Sequence, residues 1–177
     1  EINGGVSDIR VAKYDSTTSA WIALGSSLDA GGVSNSGAAD QAVLLNTTSG
    51  LVLAWIDSGV VQVRRFNGSA WVSIGSIASS GALELAAATD GTKIAVAWSV
   101  IVGPTRQVYV REFSGGTFDE LAGSATGNGI SSASGDKKAP SVAYSGGSLF
   151  AAWQNTVSTV QEIYASRFNG TSWIEAG

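Results

Sequence analysis

One segment recurs four times along the chain, and nothing else in the sequence restricts the fold as severely. It reads Ile9-Arg-Val-Ala-Lys-Tyr14, Val61-Gln-Val-Arg-Arg-Phe66, Val108-Tyr-Val-Arg-Glu-Phe113 and Ile163-Tyr-Ala-Ser-Arg-Phe168. Each copy passes through a turn into an aromatic-led segment: Trp21-Ile-Ala-Leu-Gly25, Trp71-Val-Ser-Ile-Gly75, Phe118-Asp-Glu-Leu-Ala-Gly123 and Trp173-Ile-Glu-Ala-Gly177. The leading aromatics lie 50, 47 and 55 residues apart. A third segment ends in Ala-Trp, at Leu51 to Trp55, Ile94 to Trp98 and Leu149 to Trp153. A fourth precedes each of these, at Gln41 to Leu45, Leu83 to Ala88 and Pro140 to Tyr144. Self-similarity at such a period marks a repeat architecture whose units bury their apolar faces against one another.

Every segment is short, rich in β-branched or aromatic residues and bounded by turn formers, which is a strand signature; no helical period appears. Asn67-Gly68, Asn169-Gly170 and Ser114-Gly-Gly116 supply residues that tolerate the left-handed backbone of tight hairpins. Asp90-Gly91 and Ser145-Gly-Gly147 close the hairpins between the fourth and third segment types. Longer connections run from Ser26 to about Asp40 and from Ser124 to Ala139. A chain leaving the outer strand of one sheet for the inner strand of the next must cross three spacings of about 4.8 Å. The segments therefore group as strands a (ending near Leu45, Ala88 and Tyr144), b (the Ala-Trp strands), c (the Arg-Phe strands) and d (the aromatic-led strands).

The expected fold class is all-β: four-stranded antiparallel β-propeller blades, about three and a half of them. The expected division is a half blade of strands c and d over residues 1–31, then blades over 32–79, 80–127 and 128–177. Closed propellers take four to eight blades. The expectation is therefore that further sequence, another copy of the chain or a companion chain completes the ring. Glu1 is not a translation start, which fits a processed chain or a piece of a longer one.

The repeat resembles those of bacterial secreted propellers, of the form A-W-(polar)…I-Y-(V/A)-x-R-(F/W)-N-G-(S/T)-x-W-x-x-(I/L)-G. Residues 61–75 and 163–177 carry it most closely. The group is broadly similar to the sialidase-like and Asp-box propellers, in which a turn between strands c and d also leads into an aromatic. The Asp-box S-x-D-x-G-x-T-W itself is not met by Phe66-Asn-Gly-Ser-Ala-Trp71 or Phe168-Asn-Gly-Thr-Ser-Trp173. The resemblance implies the architecture and leaves the activity open.

Composition narrows the chemistry. The 177 residues contain no Cys, His or Met. That removes Cys/His zinc sites, Ser-His-Asp and Cys-His nucleophiles, disulfides and CxxC redox pairs. A net charge of −4 argues against general nucleic-acid binding, and no apolar run is long enough to span a membrane. A surface of Ser, Thr, Gly, Ala and Asn with few Lys suits an extracellular or cell-surface protein. No cofactor and no metal site is expected; Asp57 and Asp90 lie at blade ends but lack calcium-loop spacing.

Arg64, Arg65, Arg111 and Arg167 recur in step with the repeat, and so read as solvated or blade-edge charges paired with neighbouring carboxylates. Asp119 and Glu120 are adjacent on a strand and face opposite sides, so they cannot converge on one substrate. The expected function is non-catalytic recognition of a glycan or protein ligand. The candidate contacts are Trp55, Trp98, Trp153 and Asp57, together with the long loops Gly25–Asp40 and Ser124–Ala139. The same tryptophans also serve as packing between blades. The alternatives are one part of a sialidase-like glycoside hydrolase and a structural propeller that assembles through open blade edges.

Overall fold

A computed structural model of the chain describes residues 2–3, 6–77, 80–130 and 134–176. Glu1, Gly177, the expected boundary residue Ser79 and Ser131–Ala133 of the second long loop fall outside the described residues. Among those described there is no helix.

A short hairpin absent from the sequence reading, β1 (Ile2–Asn3) and β2 (Val6–Ser7), opens the chain. Sheet I is the expected half blade, β3 (Ala12–Asp15) and β4 (Ala20–Ala23). Sheet II comprises β5 (Ala39–Thr47), β6 (Gly50–Asp57), β7 (Val60–Phe66) and β8 (Trp71–Ile77). Sheet III comprises β9 (Ala82–Thr89), β10 (Ile94–Val102), β11 (Thr105–Ser114) and β12 (Thr117–Glu120). Sheet IV comprises β13 (Asp136–Ser145), β14 (Ser148–Val157), β15 (Val160–Phe168) and β16 (Trp173–Glu175). Each four-stranded sheet is an antiparallel meander in chain order, so the chain forms about three and a half blade-like sheets.

The c–d hairpins are fixed by their turns and by the aromatic pairs above them. Asn67 Oδ1 accepts from the backbone N–H of Ser69 and Ala70, and Asn169 Oδ1 does the same for Thr171 and Ser172. Such side-chain turns hold the loop without help from the rest of the fold. Tyr14 then faces Trp21, Phe66 faces Trp71, Phe113 faces Phe118, and Phe168 faces Trp173, with ring centroids 5.6, 5.4, 5.0 and 5.6 Å apart. Pairs of this kind add about 0.5–1.5 kcal/mol beyond the area they bury.

Alternation along strands b and c gives every sheet two apolar faces, and the core lies between the sheets. Trp55 and Leu53 of sheet II pack with Val11, just ahead of β3, and Val33 of the long loop that follows sheet I. Val52, Ala54, Val61 and Val63 on the other face of sheet II meet Ile94, Val96, Trp98 and Phe113 of sheet III. Ala95, Ala97, Val108 and Val110 meet Leu149, Ala151 and Trp153 of sheet IV. The Trp of strand b therefore looks back at the preceding sheet, and the small or β-branched residues beside it look forward.

A second device ties neighbours together. Trp71 Nε1 donates to Leu24 O at 3.1 Å and Trp173 Nε1 to Leu121 O at 2.9 Å, in each case reaching strand d of the preceding sheet. Phe118 stands at this place in sheet III without a donor, and its ring lies against Gly75, where a Cβ would come within 3.0 Å.

The two long loops are built alike and take over the work of an edge strand. Leu24 and Leu121 donate their N–H groups to Ser27 Oγ and Ser124 Oγ, and these hydroxyls donate to Val11 O and Val110 O. Further along, Val33 N–H bonds to Ile9 O at 2.7 Å and Ile130 N–H to Val108 O at 3.1 Å. The same loop bonds run along Ile9–Val11 and Val108–Val110; the latter is strand because it also pairs with β10, whereas Ile9–Val11, expected as strand, pairs with no strand among the described residues. Gly32 and Gly129 pass so close to strand c that a Cβ would sit 2.2 and 2.1 Å from Ile9 O and Val108 O.

Candidate functional site

The four residues singled out from sequence are not brought together. Trp55 is 1 % exposed in the layer between sheets I and II, Trp98 3 % between II and III, and Trp153 6 % between III and IV. Their rings are engaged in interblade packing, so none of the three presents an open face for a sugar to stack on. Asp57 is half-buried at the end of β6, two residues beyond Trp55 and beside Ser58. The carboxylate of Asp90 is engaged in its own hairpin, accepting from Thr92 and Lys93 N–H. Among the described residues no cluster of acidic side chains could hold a metal ion.

Three of the recurrent arginines, Arg64, Arg65 and Arg111, are engaged with rings and carbonyls and not with neighbouring carboxylates, which corrects the sequence reading for them. Arg64 lies 5.4 Å over the Trp55 ring and donates to Val33 O at 2.5 Å. Arg65 reaches forward over Phe113 at 5.8 Å, and Arg111 donates to Phe118 O at 3.0 Å. Guanidinium planes suit such use because they stack on rings and donate in fixed directions at the same time. Strand c faces its neighbours across the interblade layer, so these arginines meet rings and carbonyls instead of bulk water.

One place departs from the repeat. On sheet III, Trp98 pairs across the strands with Tyr109, and the rings stack at 5.9 Å and 24°. They form one side of an open cleft of about 270 Å³ lined by Ser80, Trp98, Val100, Tyr109, Arg111, Ala125, Thr126 and Gly127. Tyr109 Oη donates to Gly127 O at 2.6 Å, which holds the long loop over the aromatic pair. Burial pushes the Tyr109 hydroxyl up from its ordinary value, so it stays protonated. Arg111 Nε is enclosed with no protein acceptor, and Thr126 Oγ1 contacts Glu120 Oε1 at 3.3 Å.

The equivalent positions in the other sheets lack this combination. In sheet II the partner of Trp55 is Gln62, and Arg64 folds over the tryptophan. In sheet IV Trp153 stacks on Tyr164 at 6.2 Å, but Ser166 stands where sheet III has Arg111. Tyr109 and Arg111 were missed as a pair in the sequence because each was read as one more copy of strand c. The usable signal was that Tyr and Arg coincide with Trp in the third copy alone.

A second polar group joins sheets III and IV. Asp136 accepts from Arg106 N at 2.8 Å, Nε at 3.1 Å and Nη2 at 2.8 Å, and the guanidinium holds its carboxyl down at about 2. Lys137 beside it is wholly buried, and the desolvation lowers its affinity for a proton. Tyr144 Oη donates to Glu112 Oε2 at 2.7 Å, while Lys93 Nζ bonds Glu112 Oε1 at 3.0 Å. Arg106–Asp136 and Tyr144–Glu112 tie sheet III to sheet IV, while Lys93–Glu112 lies within sheet III.

No known family matches the chain, and no curated protein does. The crystal structure of a glycosyl hydrolase from Bacteroides ovatus overlays with a TM-score of 0.47 and 10 % identity, covering 99 % of this chain and 56 % of that one. The chain thus spans about half the length of that protein.

Proposed function

We propose that the chain is a non-catalytic recognition scaffold of the extracellular space or cell surface, and that the Trp98–Tyr109–Arg111 cleft binds a glycan. The observation that carries this reading is the break in symmetry: the interblade packing repeats, and among the described sheets, sheet III alone combines a stacked Tyr with an Arg beside an open cleft. At about 270 Å³ the space lies at the small end of ligand sites and suits one or two sugar rings. Arg111, Thr126 and Ser80 line the cleft with polar groups suited to sugar hydroxyls, beside Val100 and the largely buried Trp98–Tyr109 pair.

Recognition is favoured over hydrolysis by the cleft's lining. Glycoside hydrolysis generally needs a pair of carboxyl groups about 5–10 Å apart. None of the cleft-lining residues is Asp or Glu.

A glycan array followed by titration calorimetry tests the reading. A glycan should bind without being cleaved, and Arg111→Gln should weaken it about tenfold or more, as loss of a charge-assisted hydrogen bond predicts. Sugar release would overturn the non-catalytic reading, and undiminished binding by Arg111→Gln would remove the ligand from this cleft.

A further inference from the structure

The residue just ahead of the aromatic on strand c is a cation in three copies, Lys13, Arg65 and Arg167, and a carboxylate in the other, Glu112. Two internal junctions show what the reversal does. Between sheets II and III, Arg65 reaches forward and lays its guanidinium over the Phe113 ring at 5.8 Å. Between sheets III and IV the equivalent residue is Glu112 and the equivalent ring is Phe168, which packs on Trp173 as Phe113 packs on Phe118. Here a cleft of about 160 Å³ lies beside the ring, lined by Phe168, Glu112, Tyr144 and Lys93 and by the turns at Gly147 and Gly170. The Glu112 side chain is 10 % exposed; its Oε1 accepts from Lys93 Nζ at 3.0 Å and its Oε2 from Tyr144 Oη at 2.7 Å. A carboxylate offers about four lone-pair directions, so about two remain for a further donor. Burial and the hydrogen bond to Glu112 hold the Tyr144 hydroxyl protonated, and Asp90 adds a second negative charge within range of it.

We infer that the cleft between sheets III and IV binds a guanidinium group, carried by a free arginine-like compound or by an arginine side chain of a partner. Arg65 over Phe113 is the pattern for the first contact, a guanidinium plane on the ring. The second is specific to this junction: the N–H fork of the same group meets the free lone pairs of Glu112. A planar guanidinium makes both contacts at once, whereas an ammonium is a point charge that cannot stack. Lys93 keeps the enclosed carboxylate paired while the cleft is empty, which avoids the cost of an uncompensated buried charge. Its side chain is 45 % exposed, so it turns out to water at little cost when the ligand enters.

Heteronuclear NMR titration with N-acetyl-arginine amide tests this. Amide shifts should centre on Gly147, Ser148, Asn169 and Gly170, which line the cleft. The citrulline analogue, equal in shape and uncharged, should not bind, and the lysine analogue should bind several-fold more weakly. Glu112→Gln should weaken binding of the arginine amide about tenfold or more, as loss of a charge-assisted hydrogen bond predicts. Lys93→Ala removes a half-exposed competitor without touching the core and should tighten binding about threefold. A peptide with a central arginine that binds about tenfold tighter than the amide would assign the site to a protein side chain, and equal affinity would assign it to a free guanidinium compound. Shifts absent from the two turns, a citrulline analogue that binds as well as the arginine amide, or an affinity indifferent to Lys93→Ala in a variant with a native spectrum would each overturn the inference.

Discussion

Replacing Asp136 by Asn isolates the ionic tie between sheets III and IV. The carboxylate receives three bonds from Arg106, two from the guanidinium and one from the backbone N–H. A carboxyl held at about 2 instead of 3.8 corresponds in full to about 2.4 kcal/mol of stability. The Arg106 and Asp136 side chains are 28 % and 32 % exposed, so water and salt screen part of this, leaving about 1 kcal/mol. Asn keeps the size and an acceptor for Arg106 N–H but removes the charge. Urea unfolding followed by tryptophan fluorescence should therefore show the variant less stable by that amount at pH 7. The folded carboxyl binds protons more weakly than the unfolded one, so acid protonates the unfolded chain first. The wild-type advantage should hold above pH 4 and vanish as pH falls from about 4 to 2. Equal stabilities at pH 7, or a gap that persists at pH 2, would refute the assignment of the stabilisation to this pair.

Two further perturbations test the interblade devices by equilibrium unfolding. Trp71→Phe leaves Leu24 O without its donor and should cost about 1 kcal/mol beyond the lost ring area, matching the donor-free arrangement that Phe118 already shows. Gly129→Ala meets Val108 O at 2.1 Å with φ at +64° and should cost about 3 kcal/mol, whereas Gly127→Ala, at φ +55° with nothing within 4 Å, should cost only about 1 kcal/mol. Equal penalties at the two glycines would mean that the loop does not press on strand c.

The hairpins were legible in the sequence because their causes are local. An Asn-Gly turn, an aromatic on each side and two-residue alternation specify strands c and d without reference to anything distant, and Phe66–Trp71 and Phe168–Trp173 pair as their spacing demands. The recurrence of Ala-Trp located strand b for the same reason. What the repeat could not convey is which neighbour a side chain meets once the sheets stack. Arg64 and Arg65 are adjacent in sequence, yet one turns back over Trp55 and the other forward over Phe113. The serine and glycine of the long loops looked like linker composition. They are instead the hydroxyl that caps strand c and the bare backbone that fits against it.

The candidate site follows from the same geometry. A Trp on strand b must face the preceding sheet, and it is buried wherever that sheet is present, so the repeat turns its most recognisable residues into packing. A binding surface then arises where a copy departs from the pattern: Arg64 closes over Trp55 in sheet II, but Arg111 turns to Phe118 O and leaves space beside Trp98 and Tyr109. Conformity to the repeat marks packing between sheets, and departure from it marks a place for a foreign ligand.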